Sequence, residues 1–176
     1  MKIFITGASF INKLDLATEL IHNIDDLNVS ETFTTDKSYK DKETTDFIYY
    51  MSKEDVLLSF KNNFILYITY NNDLITGMTV DNFYNGDIIN LELYNFNNIP
   101  NHYFQEDDII IWLDSKKHPH NIHKDLVETK YLVERLTELN LKYLYFLDEP
   151  IENIISVIKE YIYSDNKKEA ILEEWS

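Results

Sequence analysis

Cysteine is absent from this chain, and glycine, proline and arginine are rare: three, three and one among 176 residues. Without cysteine the chain has no disulfides and no thiolate metal sites, which fits a reducing compartment such as the cytoplasm. No run of about eighteen apolar residues occurs, so we expect no helix that spans a membrane. The N-terminus has no signal-peptide pattern, and no linker rich in Gly, Pro or Ser divides the chain. The length of the chain predicts one domain. The lack of cysteine and of a signal-peptide pattern leads us to expect that this domain is cytoplasmic.

Acidic residues dominate the charge. The chain has 31 Asp and Glu against 16 Lys and Arg, a formal net charge of −15. Such a surface repels the phosphates of nucleic acids, which proteins bind by replacing their counterions with Lys and Arg. We therefore expect no direct nucleic-acid binding and favour a protein partner with a basic surface. Arg135 is the single arginine, so bidentate recognition of phosphate is nearly excluded.

Strand-like and helix-like apolar patterns alternate along the chain. Buried strands are predicted at 2–6, 87–93, 108–113 and 141–147. Helices are predicted at 13–24, 52–61, 79–84, 123–140 and 151–162. This alternation is typical of a mostly parallel sheet with helices on both faces.

The segment at about 28–77 has a different pattern. Short strand-like runs are predicted there at 32–35, 47–51, 64–70 and 74–76, and turn residues separate the last two as in a hairpin. We predict a small antiparallel insert in a three-layer α/β domain that spans residues 1–164. The polar, acidic residues 165–176 are expected to form a tail, with one more short helix as an alternative.

The segment from Gly7 to Leu14, GASFINKL, follows a predicted strand and opens a predicted helix. That is the place and length of a phosphate-binding P-loop, GxxxxGKS/T, whose backbone amides and lysine surround phosphate groups. Residues 33–52 then run without a gap against the guanylate kinase stretch that begins TTRxPRxGE and ends YxFVS. Residues 75–79 resemble that family's YGTS element, and residues 85–93 resemble its EGKxVILxID strand.

All three glycines of the chain fall on glycine positions of guanylate kinases; they are Gly7, Gly77 and Gly86. The resemblance covers residues 1–93 and continues beyond them as an order of elements. It implies a P-loop kinase-like fold with a vestigial nucleotide-binding site. The residues that it assigns to this site are Gly7, Ser9, Lys13, Thr34, Thr35 and Gly77.

The chain departs from the guanylate kinase pattern at the positions that carry the chemistry. Asn12 replaces the glycine before the lysine, and Leu14 replaces the hydroxyl residue that holds Mg²⁺, which an aliphatic side chain does not bind. Asp36 and Tyr39 stand where two arginines of the family grip the acceptor phosphate. One arginine finger is worth about 10³–10⁵ in rate, and lysine does not replace its fork. We therefore expect no catalytic residue, no metal site and no cofactor.

A non-catalytic, guanylate-kinase-like module that binds a protein is the interpretation that we favour. Asn, Ile, Lys and Tyr are abundant, as in products of AT-rich genomes, and the small size is compatible with a phage or viral protein. Such a protein would bind and modulate a host factor of transcription or replication in the host cytoplasm. Tyrosine is common at interfaces, and the candidate contact residues are Tyr39, Tyr49, Tyr70 and Tyr84.

Two alternatives stay open. A divergent nucleoside or deoxynucleoside monophosphate kinase, with ATP and Mg²⁺, is favoured by Lys13 on a correctly placed loop and by further lysines in the acceptor region. These lysines are Lys37, Lys40 and Lys42. The acidic charge alone favours a mimic of nucleic acid that occupies a DNA-binding groove, and this hypothesis predicts competition with DNA that weakens as salt rises.

Overall fold

The computed structural model describes residues 1–8, 11–41, 47–117 and 122–175, and the side chains of the last range from 126 to 164. Its strands are β1 (Ile3–Gly7), β2 (Thr32–Thr34), β3 (Ile48–Tyr50), β4 (Ile65–Asn71), β5 (Leu74–Thr79), β6 (Ile88–Asn90), β7 (Ile109–Asp114) and β8 (Lys142–Leu147). Its helices are α1 (Lys13–Asn23), α2 (Lys53–Lys61), α3 (Val80–Asn85), α4 (Leu93–Asn98), α5 (Ile122–Glu138) and α6 (Ile151–Trp175). Two residues named above, Ser9 and Lys42, lie outside the described ranges.

Four strands form a parallel core sheet in the order β6-β1-β7-β8. Ile5 on β1 pairs with Asn90 on β6 and with Ile111 on β7, and Ile111 pairs in turn with Leu144 on β8. β1 and β7 are continuous apolar runs because both of their faces are covered, as is usual in α/β proteins. The predicted parallel sheet is confirmed.

Helices cover both faces of the core sheet, because successive side chains of a strand point to opposite faces. Ile5 belongs to a buried cluster that includes Leu20 of α1 and Ile158 of α6. Its neighbour Phe4 belongs to a second cluster, which includes Phe96 of α4 and Leu132 of α5. The fold is therefore the predicted three-layer arrangement of a P-loop kinase-like protein.

The insert forms a second sheet in the order β3-β2-β5-β4. β4 and β5 make the predicted hairpin, in which Tyr70 pairs with Ile75. β2 pairs antiparallel with β5 but parallel with β3, so the sheet is mixed and not purely antiparallel as expected. The connection at 35–47 is long enough to return the chain to the starting end of β2, which a parallel pair requires.

Two helices differ from their sequence predictions. α4 forms where no helix is predicted, since its three asparagines are weak helix formers, and it is held by Leu93 and Phe96 in the core. α6 continues to Trp175, so the backbone at 165–175, expected as a tail or a separate short helix, extends the last helix instead. Within the described part of the chain, no helix is both long and apolar enough to cross a membrane.

Candidate functional site

A cavity of about 540 Å³ lies where the core sheet faces the insert sheet. The core contributes the start of α1 and the end of β6 at Asn90, and the insert contributes β2, β4 and β5. Ligands of parallel α/β sheets sit beyond the carboxyl ends of the strands, which is the position of this cavity. The predicted residues Lys13, Thr34, Tyr39 and Gly77 all line it.

Lys13, the lysine of the P-loop-like segment, is almost fully buried, with 6% of its side chain exposed. Its Nζ lies 3.2 Å from Oε1 of Glu92 and 3.3 Å from each of the carbonyl oxygens of Ala8 and Ile11. An ammonium group has three N–H donors, and here it meets three oxygens of its own chain. The charge that a P-loop offers to phosphate is therefore matched by the carboxylate of Glu92.

The first amides of α1 are also occupied. Asn12 is the N-cap residue, and its Oδ1 accepts hydrogen bonds from N of Leu14 at 3.2 Å and from N of Asp15 at 3.4 Å. Amides without a partner at a helix N-terminus are the groups that bind phosphate in a P-loop. The side chain of Leu14 has no oxygen for Mg²⁺. These residues do not fit a Mg²⁺–nucleotide complex.

Arg135, the single arginine, has a structural position on α5. Its guanidinium donates hydrogen bonds to the carbonyl oxygens of Asn97 and Ile99 at the end of α4. The guanidinium carbon lies 5.0 Å from the centre of the Phe104 ring, a cation–π distance. Arg135 thus joins α5 to the segment after α4, and the cavity has no arginine.

The two predicted threonines accept backbone hydrogen bonds within the insert. Thr34 and Thr35 are buried, and Oγ1 of Thr34 accepts a hydrogen bond from N of Asp36 at 3.2 Å. Oγ1 of Thr35 accepts a hydrogen bond from N of Ile75 at 2.9 Å, which ties the end of β2 to β5. Of the two, Thr34 lines the cavity.

Both predicted site glycines are required by close packing of the backbone. A Cβ atom at Gly7 would lie 2.1 Å from the carbonyl oxygen of Leu113, and the φ of Gly7 is +154°. A Cβ atom at Gly77 would lie 2.3 Å from the carbonyl oxygen of Tyr67 and 2.7 Å from Cζ of Phe33. Glycine alone has no Cβ, so the fold itself needs both residues, with or without a nucleotide.

The described lining of the cavity has a net negative charge. Its charged residues are Lys13, Asp36 and Glu92, and the first is paired with the last. Asp36 also accepts a hydrogen bond from N of Ser38 at 2.9 Å. Burial and, to a smaller extent, the charge of Glu92 raise the pKa of the Tyr67 hydroxyl well above its usual value. A dianionic phosphate is disfavoured in such surroundings.

Sequence reasoning missed three residues of this site and left a signal for a fourth. Glu92 has no local pattern that pairs it with Lys13. Ser30 and Asn90 also line the cavity, and each has a buried side-chain oxygen with no hydrogen-bond partner among the described residues. No sequence pattern predicts a role for either residue. Asn12 had a signal, because an asparagine directly before helical apolar spacing is a typical N-cap.

The four predicted contact tyrosines have different surroundings. Tyr70 on β4 is 71% exposed, and Tyr84 on α3 is 61% exposed. Tyr49 is half-buried, its hydroxyl donates a hydrogen bond to Oδ1 of Asn82 at 2.7 Å, and burial raises its pKa. Tyr39 is half-buried in the cavity wall. Tyr70 and Tyr84 thus present most of their rings to solvent, and the contact role of all four stays a prediction.

Comparison with known proteins agrees with the architecture. The crystal structure of guanylate kinase from Anaplasma phagocytophilum matches with a TM-score of 0.55 and 15% sequence identity, over 94% of this chain and 85% of that chain. No family model and no curated protein matches the sequence. A likeness at 15% identity establishes the fold alone, and this chain therefore has a guanylate-kinase-like fold.

Proposed function

We propose that this chain is a non-catalytic, guanylate-kinase-like module that binds a protein partner with a basic surface. The observation that carries the proposal is that the chain occupies its own phosphate-binding groups. The carboxylate of Glu92 and two loop carbonyls contact the ammonium of Lys13. The side chain of Asn12 accepts hydrogen bonds from the first amides of α1. Phosphoryl transfer depends on positioning and charge stabilisation by such groups, so we infer that turnover is lost.

The class of partner is inferred from charge. A net charge of −15 on 176 residues speeds the encounter with a basic surface and repels phosphate polyanions. Tyr70 and Tyr84 supply exposed rings of a kind enriched in interfaces. Because the composition suits an AT-rich phage or viral genome, the proposal includes a host protein of transcription or replication as the partner, bound in the host cytoplasm.

Calorimetric titration with ATP, with and without Mg²⁺, and then with GMP and dTMP, tests the loss of nucleotide binding. We expect no saturable binding by the natural sequence. The matched variant combines Asn12→Gly, Leu14→Ser and Glu92→Gln, which free the α1 amides, supply a hydroxyl and release Lys13. We expect it to bind ATP with a dissociation constant below about 1 mM, and Lys13→Ala in the same background to abolish that binding.

A divergent monophosphate kinase is the second candidate, and the open cavity favours it. The cavity is lined by Lys13, at the place of a P-loop lysine, and by polar residues such as Ser30, Thr34 and Asn90. Micromolar nucleotide binding by the natural sequence, with product formed from ATP and a monophosphate and lost in Lys13→Ala, would establish the kinase. That result would overturn the non-catalytic proposal.

Affinity capture from host lysate, at low and at physiological salt, tests the protein partner. We expect one protein in stoichiometric amount, released as rising salt screens the charge attraction. Tyr70→Ser with Tyr84→Ser should capture it more weakly than Tyr143→Ser, a control at a ring that is 51% exposed on β8. Recovery of no stoichiometric protein would count against the proposal, and displacement of the partner by duplex DNA would support the nucleic-acid mimic instead.

A further inference from the structure

Several large apolar side chains are exposed on α2 and directly after it. Leu57, Leu58 and Phe60 on this helix and Phe64 just after it are each exposed by 59–60%. Val56 is the one residue of α2 that is buried. Large apolar side chains that lie together on a surface mark sites of contact with another molecule, and Leu57 and Leu58 are neighbours on the side of α2 that faces away from Val56.

Four residues of α2 lie along one side of the helix: Glu54, Leu57, Leu58 and Lys61. Their offsets of three, four and seven residues match the period of an α-helix. The two leucines occupy the middle of this stripe, with a carboxylate at one end and an ammonium group at the other. All four side chains are exposed. The stripe therefore has an apolar centre between opposite charges.

We propose that this stripe binds α2 of a second copy of the chain in antiparallel orientation. About a two-fold axis between Leu57 and Leu58, Leu57 faces the partner's Leu58 and Glu54 faces the partner's Lys61. The axis produces each contact twice, as in any isologous interface. Parallel helices would instead bring Glu54 against the partner's Glu54, and like charges in contact oppose association.

A second copy fits this face better than the basic partner of the proposed function does. The exposed charges of α2 are the bases Lys53 and Lys61 and the acids Glu54 and Asp55, so this helix has no net charge in a chain whose acids outnumber its bases. Repulsion between two copies of net charge −15 is screened beyond about 8 Å at 0.15 M salt, whereas the apolar contact is not. We therefore expect a weak dimer that tightens as salt rises from about 0.01 M to 0.15 M.

Sedimentation velocity of the full chain over a concentration series tests this dimer. Glu54→Lys and Lys61→Glu, each alone, place like charges across both halves of the contact, and each should weaken the dimer at least about tenfold. An equimolar mixture of these two variants pairs opposite charges, so it should form a dimer with one copy of each. The double variant with both changes in one chain should also dimerise like the natural sequence.

Two further variants complete the test. Leu58→Ser should weaken the dimer, with circular dichroism to confirm that the chain is folded. Glu160→Lys changes the charge as Glu54→Lys does, but on an exposed position of α6, and should leave the dimer unchanged. A natural sequence that stays monomeric at every concentration and salt would overturn the proposal. A dimer that neither single reversal weakens, or a mixture of the single variants that stays monomeric, would overturn it as well.

Discussion

At the scale of single residues, the partners of a side chain decide what it can do. Lys13 is recognisable in the sequence as a P-loop lysine, but its ammonium lies 3.2 Å from Glu92, which follows β6. Thr35 is recognisable as part of a guanylate kinase motif, but its hydroxyl accepts a hydrogen bond from the amide of Ile75. The motif was recognisable from the sequence in both cases. The atom that each side chain contacts was not predictable, because that atom belongs to a distant segment.

Replacing Thr35 with valine should destabilise the fold by about 1–3 kcal/mol, because the amide of Ile75 loses a buried acceptor. Thr35→Ser keeps the hydroxyl and should cost clearly less. Urea unfolding of both variants measures the difference. Equal losses would show that the methyl group, and not the hydrogen bond, ties β2 to β5.

Gly77→Ala should also destabilise the fold, by about 1–3 kcal/mol or more, because the new Cβ meets the carbonyl oxygen of Tyr67 and the ring of Phe33. Thr76→Ala, at an exposed neighbour on β5, is the control for an alanine on this strand that meets no backbone or ring atom. Thermal unfolding measures both changes. A Gly77→Ala variant as stable as the natural sequence would mean that this glycine is not needed for packing.

At the scale of elements, the first amides of α1 are bonded to their own N-cap residue, so the groups that would bind an anion contribute to stability instead. Asn12 caps the helix by accepting hydrogen bonds from N of Leu14 and N of Asp15. Asn12→Ala should cost about 1 kcal/mol of stability, whereas Asn12→Gly should cost only a few tenths, because glycine leaves those amides open to water. Urea unfolding compares the two variants. A loss in Asn12→Gly as large as in Asn12→Ala would contradict this account of the cap.

Elements were predictable where local pattern and tertiary packing agree. β1 and β7 have β-branched, apolar runs, and α1 has apolar residues at helical spacing, so each forms where its pattern indicates. α4 was not predictable, because its asparagines disfavour a helix and burial of Phe96 overrides that preference.

At the scale of the whole molecule, the excess of acids opposes the compact state. Like charges repel one another more in the folded chain than in the unfolded one, and a net charge of −15 makes this term unfavourable. Added NaCl, from about 0.01 M to 0.5 M, should therefore raise the urea midpoint of unfolding. A midpoint that falls over this range would mean that ion pairs such as Lys13–Glu92 outweigh the overall repulsion.

Apart from α4, the sequence by itself determined the order of strands and helices, the guanylate-kinase-like fold, and the lack of site arginines and of a Mg²⁺-binding hydroxyl at Leu14. The spacing of apolar residues and the residue types are local properties of the sequence, so they can be interpreted without the tertiary structure. Only the tertiary structure decided that Lys13 is paired with Glu92, that β2 runs parallel to β3, and that the leucines of α2 are exposed. These features depend on which segments, distant in the sequence, pack against one another. Tertiary packing, and not local propensity, decides that.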